Sequence, residues 1–133
     1  MAKRRREPRW LTRIVLDAIH NDQVREHGGL RGIRDENLLE SALARPQQRW
    51  HCDSQADPPA LAAAYAFGLV TAHPYRDGNK RIGFLAAVTF LGLNGWDFTA
   101  PEAEVVAHIV MLAEGRLTES QLADWMRSYA VSV

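Results

Sequence analysis

A polar segment set between two apolar helices is the feature that most constrains the fold. The segment is HPYRDGNKR, residues 73–81; apolar residues at helical spacing run up to it and resume over 82–93. The first helix cannot continue through Pro74, and Gly78 can adopt backbone angles that other residues avoid. Asn79 is a good N-cap, so the second helix is expected to begin there. That second helix is apolar nearly all round, which predicts a buried, central position.

Helical spacing and capping signals predict further helices on both sides of this pair. The first of them has an apolar face and ends near Gly28, which can supply a left-handed cap. Asp35 is a candidate N-cap for the next helix, and Thr118 has capping-box spacing with Gln121 near the end of the chain. The apolar face predicted for the first helix is Leu11, Ile14, Val15, Ala18 and Ile19.

A proline is expected to end the second helix of the chain. Pro46 removes a backbone donor and clashes with the preceding turn, so residues 46–58 are predicted to form a polar loop around Trp50. Loops of that length often have a function. No alternating strand pattern extends beyond a few residues near Trp96. The predicted fold class is all-α, a compact helical bundle with a central buried helix preceded by the polar segment.

The charge is unevenly distributed along the chain. Five of the 16 basic residues and one of the 16 acidic residues lie in residues 1–9, which leaves 11 against 15 in residues 10–133, a net charge of −4 there. We therefore predict a basic, flexible tail at 1–9 and a single domain at 10–133. Such a tail could contact nucleic acid, but it is more typical of a solvated chain end, so direct nucleic-acid binding is not expected.

Composition excludes several classes of protein. No apolar run is long enough to span a bilayer, and the basic N-terminus lacks the apolar region of a signal peptide, so cytoplasmic residence without membrane association is expected. The single cysteine, Cys52, excludes an internal disulfide and a zinc site built from several cysteines.

The residues of the polar segment suit the transfer of a phosphoryl or nucleotidyl group. A helix N-terminus offers unpaired N–H groups to an anion, and Gly78 would let that anion approach the backbone. Lys80 and Arg81 add positive charge, and the single carboxylate of Asp77 suits Mg²⁺, which takes its other ligands from phosphates and water. His73 can accept a proton near neutral pH. Each residue alone is common in structural turns, but their conjunction predicts a phosphate-handling site.

HPYRDGNKR resembles the signature loop of the Fic/Doc family, His-x-Phe-x-[Asp/Glu]-[Gly/Ala]-Asn-[Gly/Lys]-Arg. Two further stretches extend the resemblance over most of the chain. Residues 19–47, IHNDQVREHGGLRGIRDENLLESALARPQ, look like the N-terminal half of death-on-curing (Doc) proteins. FLGLNGWDF, residues 90–98, looks like the segment after their central helix. The resemblance implies the compact helical bundle of that family.

The resemblance also implies roles for residues of the loop. His73 matches the general base that takes a proton from the target hydroxyl, and Asp77 matches the Mg²⁺ ligand. Gly78 and Asn79 match the start of the anion hole, and Arg81 matches the arginine that holds the nucleotide phosphates. Pro74 and Tyr75 match the positions that anchor the loop; Tyr75 replaces the usual Phe, so its hydroxyl needs a partner.

The residue at position 80 separates two branches of the family. Fic enzymes that transfer AMP usually have glycine there, whereas Lys80 matches the Doc branch, which implies reversed binding of ATP and transfer of its terminal phosphate. The implied target is a threonine of translation elongation factor Tu, and the outcome is arrest of translation. The family's inhibitory motif, [Ser/Thr]-x-x-x-Glu-[Gly/Asn], is absent from the sequence. Restraint by a separate antitoxin protein is therefore implied.

Two alternatives remain open at this point. Gly78 stands where some Doc proteins have alanine, which favours a Fic-type AMP transferase that uses the same residues. The arginine-rich tail would instead fit a non-enzymatic module that binds a partner or DNA. The resemblance also suggests that the predicted loop around Trp50 corresponds to the target-docking flap of the family.

Overall fold

The computed structural model describes residues 5–133, and it confirms that this part of the chain is all-α with one small two-stranded sheet. Residues 1–4, which belong to the predicted flexible tail, lie outside the described range. The short sheet is antiparallel, and its register pairs Trp96 with Ser132 and Phe98 with Ala130. The elements in chain order are α1 (Arg13–His27), α2 (Glu36–Cys52), α3 (Pro58–Ala72), α4 (Asn79–Leu93), β1 (Trp96–Phe98), α5 (Glu102–Ala113), α6 (Glu119–Tyr129) and β2 (Ala130–Ser132).

Helix α3, which precedes the polar segment, forms the centre of the core and packs against α2, α4 and α6, whereas the central position was predicted for the helix after the segment, α4. Its sequence is rich in alanine, and most of its residues are buried. Small residues let the neighbouring helices approach closely. A Cβ atom at Gly83 of α4 would lie only 2.5 Å from Cγ2 of Val70, so α3 and α4 are in intimate contact at that point. This close pair carries the polar segment at one end.

Side-chain caps begin four of the six helices found in residues 5–133. The side chains of Thr12, Asp35, Asp57 and Thr118 accept backbone N–H groups of the helices that follow them. Asp35 and the capping box of Thr118 with Gln121 were predicted from the sequence, and both are confirmed. Each such cap stabilises its helix by about 1 kcal/mol.

The prediction that Pro46 ends α2 was wrong, because the helix continues through it to Cys52. Pro46 is buried, and Trp50 one turn further on packs edge-to-face on Trp10 with ring centroids 6.4 Å apart. Arg49 also pairs with Glu119 of α6. These tertiary contacts offset the roughly 3 kcal/mol that a proline inside a helix costs. Only five residues connect α2 to α3, in place of the loop predicted over 46–58. The flap hypothesis depended on that longer loop and is not retained.

The predicted apolar face of the first helix was only partly right, because Leu11 is buried and Ile19 packs against the core, whereas Ile14, Val15 and Ala18 are exposed. The side chains that α1 buries are Leu16, His20 and Val24, whereas Ile14 is 82% exposed. The buried stripe follows a spacing of four residues but passes through a histidine, so a search for apolar residues alone chose a different face. The burial of His20 needs a polar partner, which the polar segment supplies.

The described part of the basic tail lies against the helices. The guanidinium of Arg5 donates to the carbonyl of Trp50 over 2.9 Å and stacks on its indole ring, 4.6 Å from the centroid. The backbone N–H and C=O of Arg9 both bond to the side-chain amide of Asn94. Across residues 5–133, every helix is too short or too polar to cross a lipid bilayer.

Candidate functional site

The polar segment forms a tight loop that joins α3 to α4. His73 caps α3 in the left-handed conformation, with φ 52° and ψ 56°, and Gly78 caps the start of α4 with φ 78° and ψ 13°. Asn79 was predicted to be the N-cap of α4 but is instead its first residue. Its buried side chain closes the loop: Oδ1 accepts the N–H of Tyr75 over 3.0 Å, and Nδ2 donates to the carbonyl of Tyr75 over 2.9 Å. Gly78 takes the cap position because it tolerates positive φ.

Tyr75 ties the loop to helix α1. The ring is buried, and its hydroxyl donates to Oδ1 of Asp17 over 2.8 Å, so the hydroxyl that the sequence left without a partner has one. Burial and the hydrogen bond to Asp17 raise the pKa of Tyr75 far above its ordinary value. The phenol therefore stays protonated and donates throughout the physiological range. Pro74 is buried beside it, so both residues lie behind the exposed part of the loop.

His20 also holds the loop, although no role was assigned to it from the sequence. It is 2% exposed, its ring stacks on Tyr75 with centroids 3.9 Å apart, and its Nε2 lies 3.1 Å from the carbonyl oxygen of Asp77. Because a carbonyl can only accept, Nε2 carries the proton in this contact. The signal in the sequence was the spacing of His20 with Leu16 and Val24, which places a histidine on a buried stripe.

The segment between α1 and α2 lies along the other side of the loop. The N–H of Leu30 donates to Oδ2 of Asp77 over 3.2 Å, while the N–H of Gly78 donates to Oδ1 over 3.0 Å. A Cβ atom at Gly29 would lie 2.7 Å from Oδ2 of Asp77, so only glycine leaves room for the carboxylate. Residues 28–34 of this segment drew no functional prediction from spacing or composition.

The same segment contacts the beginning of the loop. The guanidinium of Arg34 donates through Nε to the carbonyl of His73 over 2.7 Å and through an Nη to that of Ala72 over 2.8 Å. Ile33 forms an isolated antiparallel bridge with Tyr75. The loop is thus held by α1 on one side and by this connection on the other.

The front of the loop opens into a cavity of about 470 Å³. Every residue to which a chemical role was assigned from the sequence lines it, and Arg76 lines it as well. His73, Asp77, Lys80 and Arg81 are exposed there, whereas Asn79 is buried and contributes from below. The lining residues are His73, Arg76, Asp77, Gly78, Asn79, Lys80 and Arg81.

The cavity suits an anion with a bound divalent cation. Its wall includes the first turn of α4. The N-cap of this helix is Gly78, which has no side chain to cap the free N–H groups. Lys80 and Arg81 add positive charge beside them. Among the described residues, no three His, Cys, Asp or Glu side chains converge into a metal-binding group. A Mg²⁺ ion held by the Asp77 carboxylate would therefore take its remaining ligands from phosphate oxygens and water, which is how proteins usually bind this ion with nucleotides.

Comparison with known proteins identifies a family and relatives of this chain. A family model described as the Fic/DOC family matches residues 10–91, which include the whole loop. The chain is 31% identical over 113 residues to the protein named Protein kinase doc of Escherichia phage P1, covering 84% of this chain and 88% of that protein. It is 40% identical over 74 residues to Toxin Doc of Mycolicibacterium smegmatis, covering 55% of this chain and 57% of the relative.

Proposed function

Because this chain belongs to the Fic/DOC family, we propose that it is a toxin of the Doc type, a transferase that moves the terminal phosphate of ATP to a hydroxyl of a target protein. A threonine of translation elongation factor Tu is the proposed target, and arrest of translation is the proposed outcome. The observation that carries this proposal is Lys80, which lines the same cavity as His73, Asp77 and Arg81. A relative that covers most of this chain is named a protein kinase, which supports phosphate as the transferred group.

Three cavity residues have defined tasks in this reaction. His73 accepts the proton of the target hydroxyl as its oxygen forms a bond to the terminal phosphorus, and the bond to the bridging oxygen of ADP breaks. Arg81 and the N–H groups at the start of α4 bind the phosphate oxygens and stabilise charge that develops on them. Asp77 is the residue that would hold Mg²⁺, which neutralises phosphate charge when it is bound.

The argument for AMP transfer is that Gly78 makes the loop resemble that of Fic enzymes, since some Doc proteins have alanine there. A Cβ atom at Gly78 would meet no protein atom within 4 Å, whereas the φ of 78° is one that side chains rarely adopt. The backbone angle alone accounts for glycine at this position, so the proposal of phosphate transfer is based on Lys80.

A cognate antitoxin is the proposed partner of this toxin. One relative is named a toxin, and the inhibitory motif that restrains other family members in the same chain is absent from this sequence. Restraint of the enzyme would then come from a separate protein. Cytoplasmic residence follows from the proposed target, which is part of the translation machinery.

A transfer assay tests the proposed function. The protein is incubated with elongation factor Tu, Mg²⁺ and ATP, and the intact mass of the target is measured. The expected result is the addition of one phosphate, lost in His73→Ala and retained in His51→Ala, a matched control at an exposed histidine on α2. Addition of AMP would refute phosphate transfer. If the target gains no mass with wild-type protein, elongation factor Tu is the wrong target, and whole-lysate labelling with γ-labelled ATP then decides whether any protein is phosphorylated.

A further inference from the structure

The backbone of His73 is held in an unfavourable conformation. Among residues 5–133 it is the one non-glycine residue with positive φ. A side chain with a Cβ atom disfavours this left-handed region, and a following proline also pushes the preceding residue toward extended angles. His73 precedes Pro74, so both effects act on it. Such conformations persist only where the surrounding structure enforces them, and they concentrate at functional sites.

Arg34 provides the contacts that enforce it. Its guanidinium spans two successive carbonyls, with Nε 2.7 Å from the oxygen of His73 and an Nη 2.8 Å from that of Ala72. The backbone N–H of Arg34 donates to the next carbonyl, that of Pro74, over 2.8 Å. Three consecutive carbonyls at the turn out of α3 thus point at one residue. The last turn of α3 contains no basic residue of its own, so Arg34 also supplies positive charge to this helix C-terminus.

We propose that Arg34 is a positioning residue that keeps His73 in the left-handed conformation and thereby directs its imidazole into the cavity. The proposal rests on the proposed function, in which His73 is the base. Arg34 does not line the cavity, so it acts through the backbone of His73 and not on the reacting atoms. If His73 relaxed to extended angles, its Cα–Cβ bond would turn and the imidazole would leave its place. A guanidinium fits this task better than an ammonium group because its planar fork reaches two carbonyls at once.

A purely structural role for Arg34 would be the capping of α3, and Arg127 offers a matched control for that role. Arg127 is also an exposed arginine that binds α3, at the opposite end. Its guanidinium donates to both carboxylate oxygens of Asp57, the N-cap of α3, over 2.7 and 2.9 Å. Replacement of either arginine by alanine removes charge-assisted hydrogen bonds from one end of the same helix. Only the Arg34 variant changes the surroundings of His73.

The test compares Arg34→Ala, Arg34→Lys and Arg127→Ala in the full chain by two measurements. The first is kcat and the KM for ATP in the transfer assay. The second is the NMR cross-peak between the amide proton and Hα of residue 73, which is strong at positive φ. We expect Arg34→Ala to weaken the cross-peak and to lower kcat by between about tenfold and a hundredfold with little change in KM. Arg34→Lys should give values between those of wild type and Arg34→Ala. Added guanidinium should partly restore the kcat and the cross-peak of Arg34→Ala. Arg127→Ala should match wild type in both measurements.

Two results would overturn the proposal. One is an Arg34→Ala protein that keeps both the cross-peak and the wild-type kcat. The other is an equal loss of kcat in Arg34→Ala and Arg127→Ala, which would mean that Arg34 only stabilises the helix. If the wild-type protein transfers no group to any target, the proposed function fails, and the cross-peak alone then decides whether Arg34 holds His73: its persistence in Arg34→Ala refutes the inference.

Discussion

Replacement of His20 by phenylalanine should show that this buried histidine holds the residue proposed to bind Mg²⁺. Phenylalanine keeps a ring that can stack on Tyr75 but has no donor for the carbonyl of Asp77. In the wild-type protein that carbonyl lies 3.1 Å from Nε2 of His20. The substitution therefore removes the hydrogen bond and leaves the aromatic contact largely in place.

The magnitude follows from the environment of the lost bond. An orphaned buried acceptor costs about 1–3 kcal/mol, and this carbonyl is only partly shielded from water, so we expect a loss of about 1–2 kcal/mol in the free energy of unfolding. For a domain of this size, that loss lowers Tm by about 3–8 °C. The freed peptide should also let Asp77 move, so half-maximal transfer should need a higher Mg²⁺ concentration.

Thermal unfolding and a Mg²⁺ titration of the transfer rate measure the two effects. His20→Gln is the matched control, because its amide can still donate to the Asp77 carbonyl but cannot stack on Tyr75. That variant should lose about 1 kcal/mol of stability through the ring contact and keep a Mg²⁺ requirement near that of wild type. The assigned role of the hydrogen bond would be wrong if His20→Phe had the Tm and the Mg²⁺ requirement of wild type. It would also be wrong if His20→Gln needed more Mg²⁺ for half-maximal transfer than His20→Phe.

Two further predictions concern a glycine and a buried tyrosine. Gly29→Ala should lower transfer activity more than Gly28→Ala. Both glycines have positive φ, but only a Cβ at position 29 would collide with the Asp77 carboxylate. Activity and Tm of the two variants are measured in parallel, and equal activity losses would contradict the prediction. Burial raises the pKa of Tyr65 to about 12, whereas an unfolded tyrosine ionises near pH 10, so this residue's contribution to stability is complete below pH 10 and lost as the pH rises toward 12. In Tyr65→Phe, the unfolding free energy measured by urea denaturation should therefore fall less steeply with pH above pH 10, by up to about 1.4 kcal/mol per pH unit. An unchanged slope would show that Tyr65 does not cause the fall.

Features that depend on neighbours in sequence were predicted well. The loop between α3 and α4 was recognised from Pro74 and Gly78, and the caps at Asp35 and Thr118 lie where the sequence indicated. Each of these signals acts over a few residues, through backbone angles and local hydrogen bonds. The all-α class followed from the same periodicity.

The errors arose where other contacts overrode a local preference. Pro46 would end an isolated helix, but its burial and the packing of Trp50 carry α2 onward. Asn79 would cap a helix, but its side chain instead closes the loop on Tyr75, and Gly78 takes the cap. The partners that carry α2 onward are distant in sequence and are positioned only after the chain has folded, whereas Tyr75 lies four residues from Asn79, so the second error concerned local geometry.

The sequence alone predicted the chemistry of the front of the site, because His73, Asp77, Lys80 and Arg81 are close together in one loop. It could not establish what lies behind that loop. His20 meets Asp77 across 57 residues of chain, and Arg34 meets His73 across 39. No periodicity or spacing encodes such pairs, since they form only when packing of α1, α3 and α4 brings the segments together. The reactive groups could therefore be predicted from local pattern, whereas the contacts that orient them were decided by the tertiary structure.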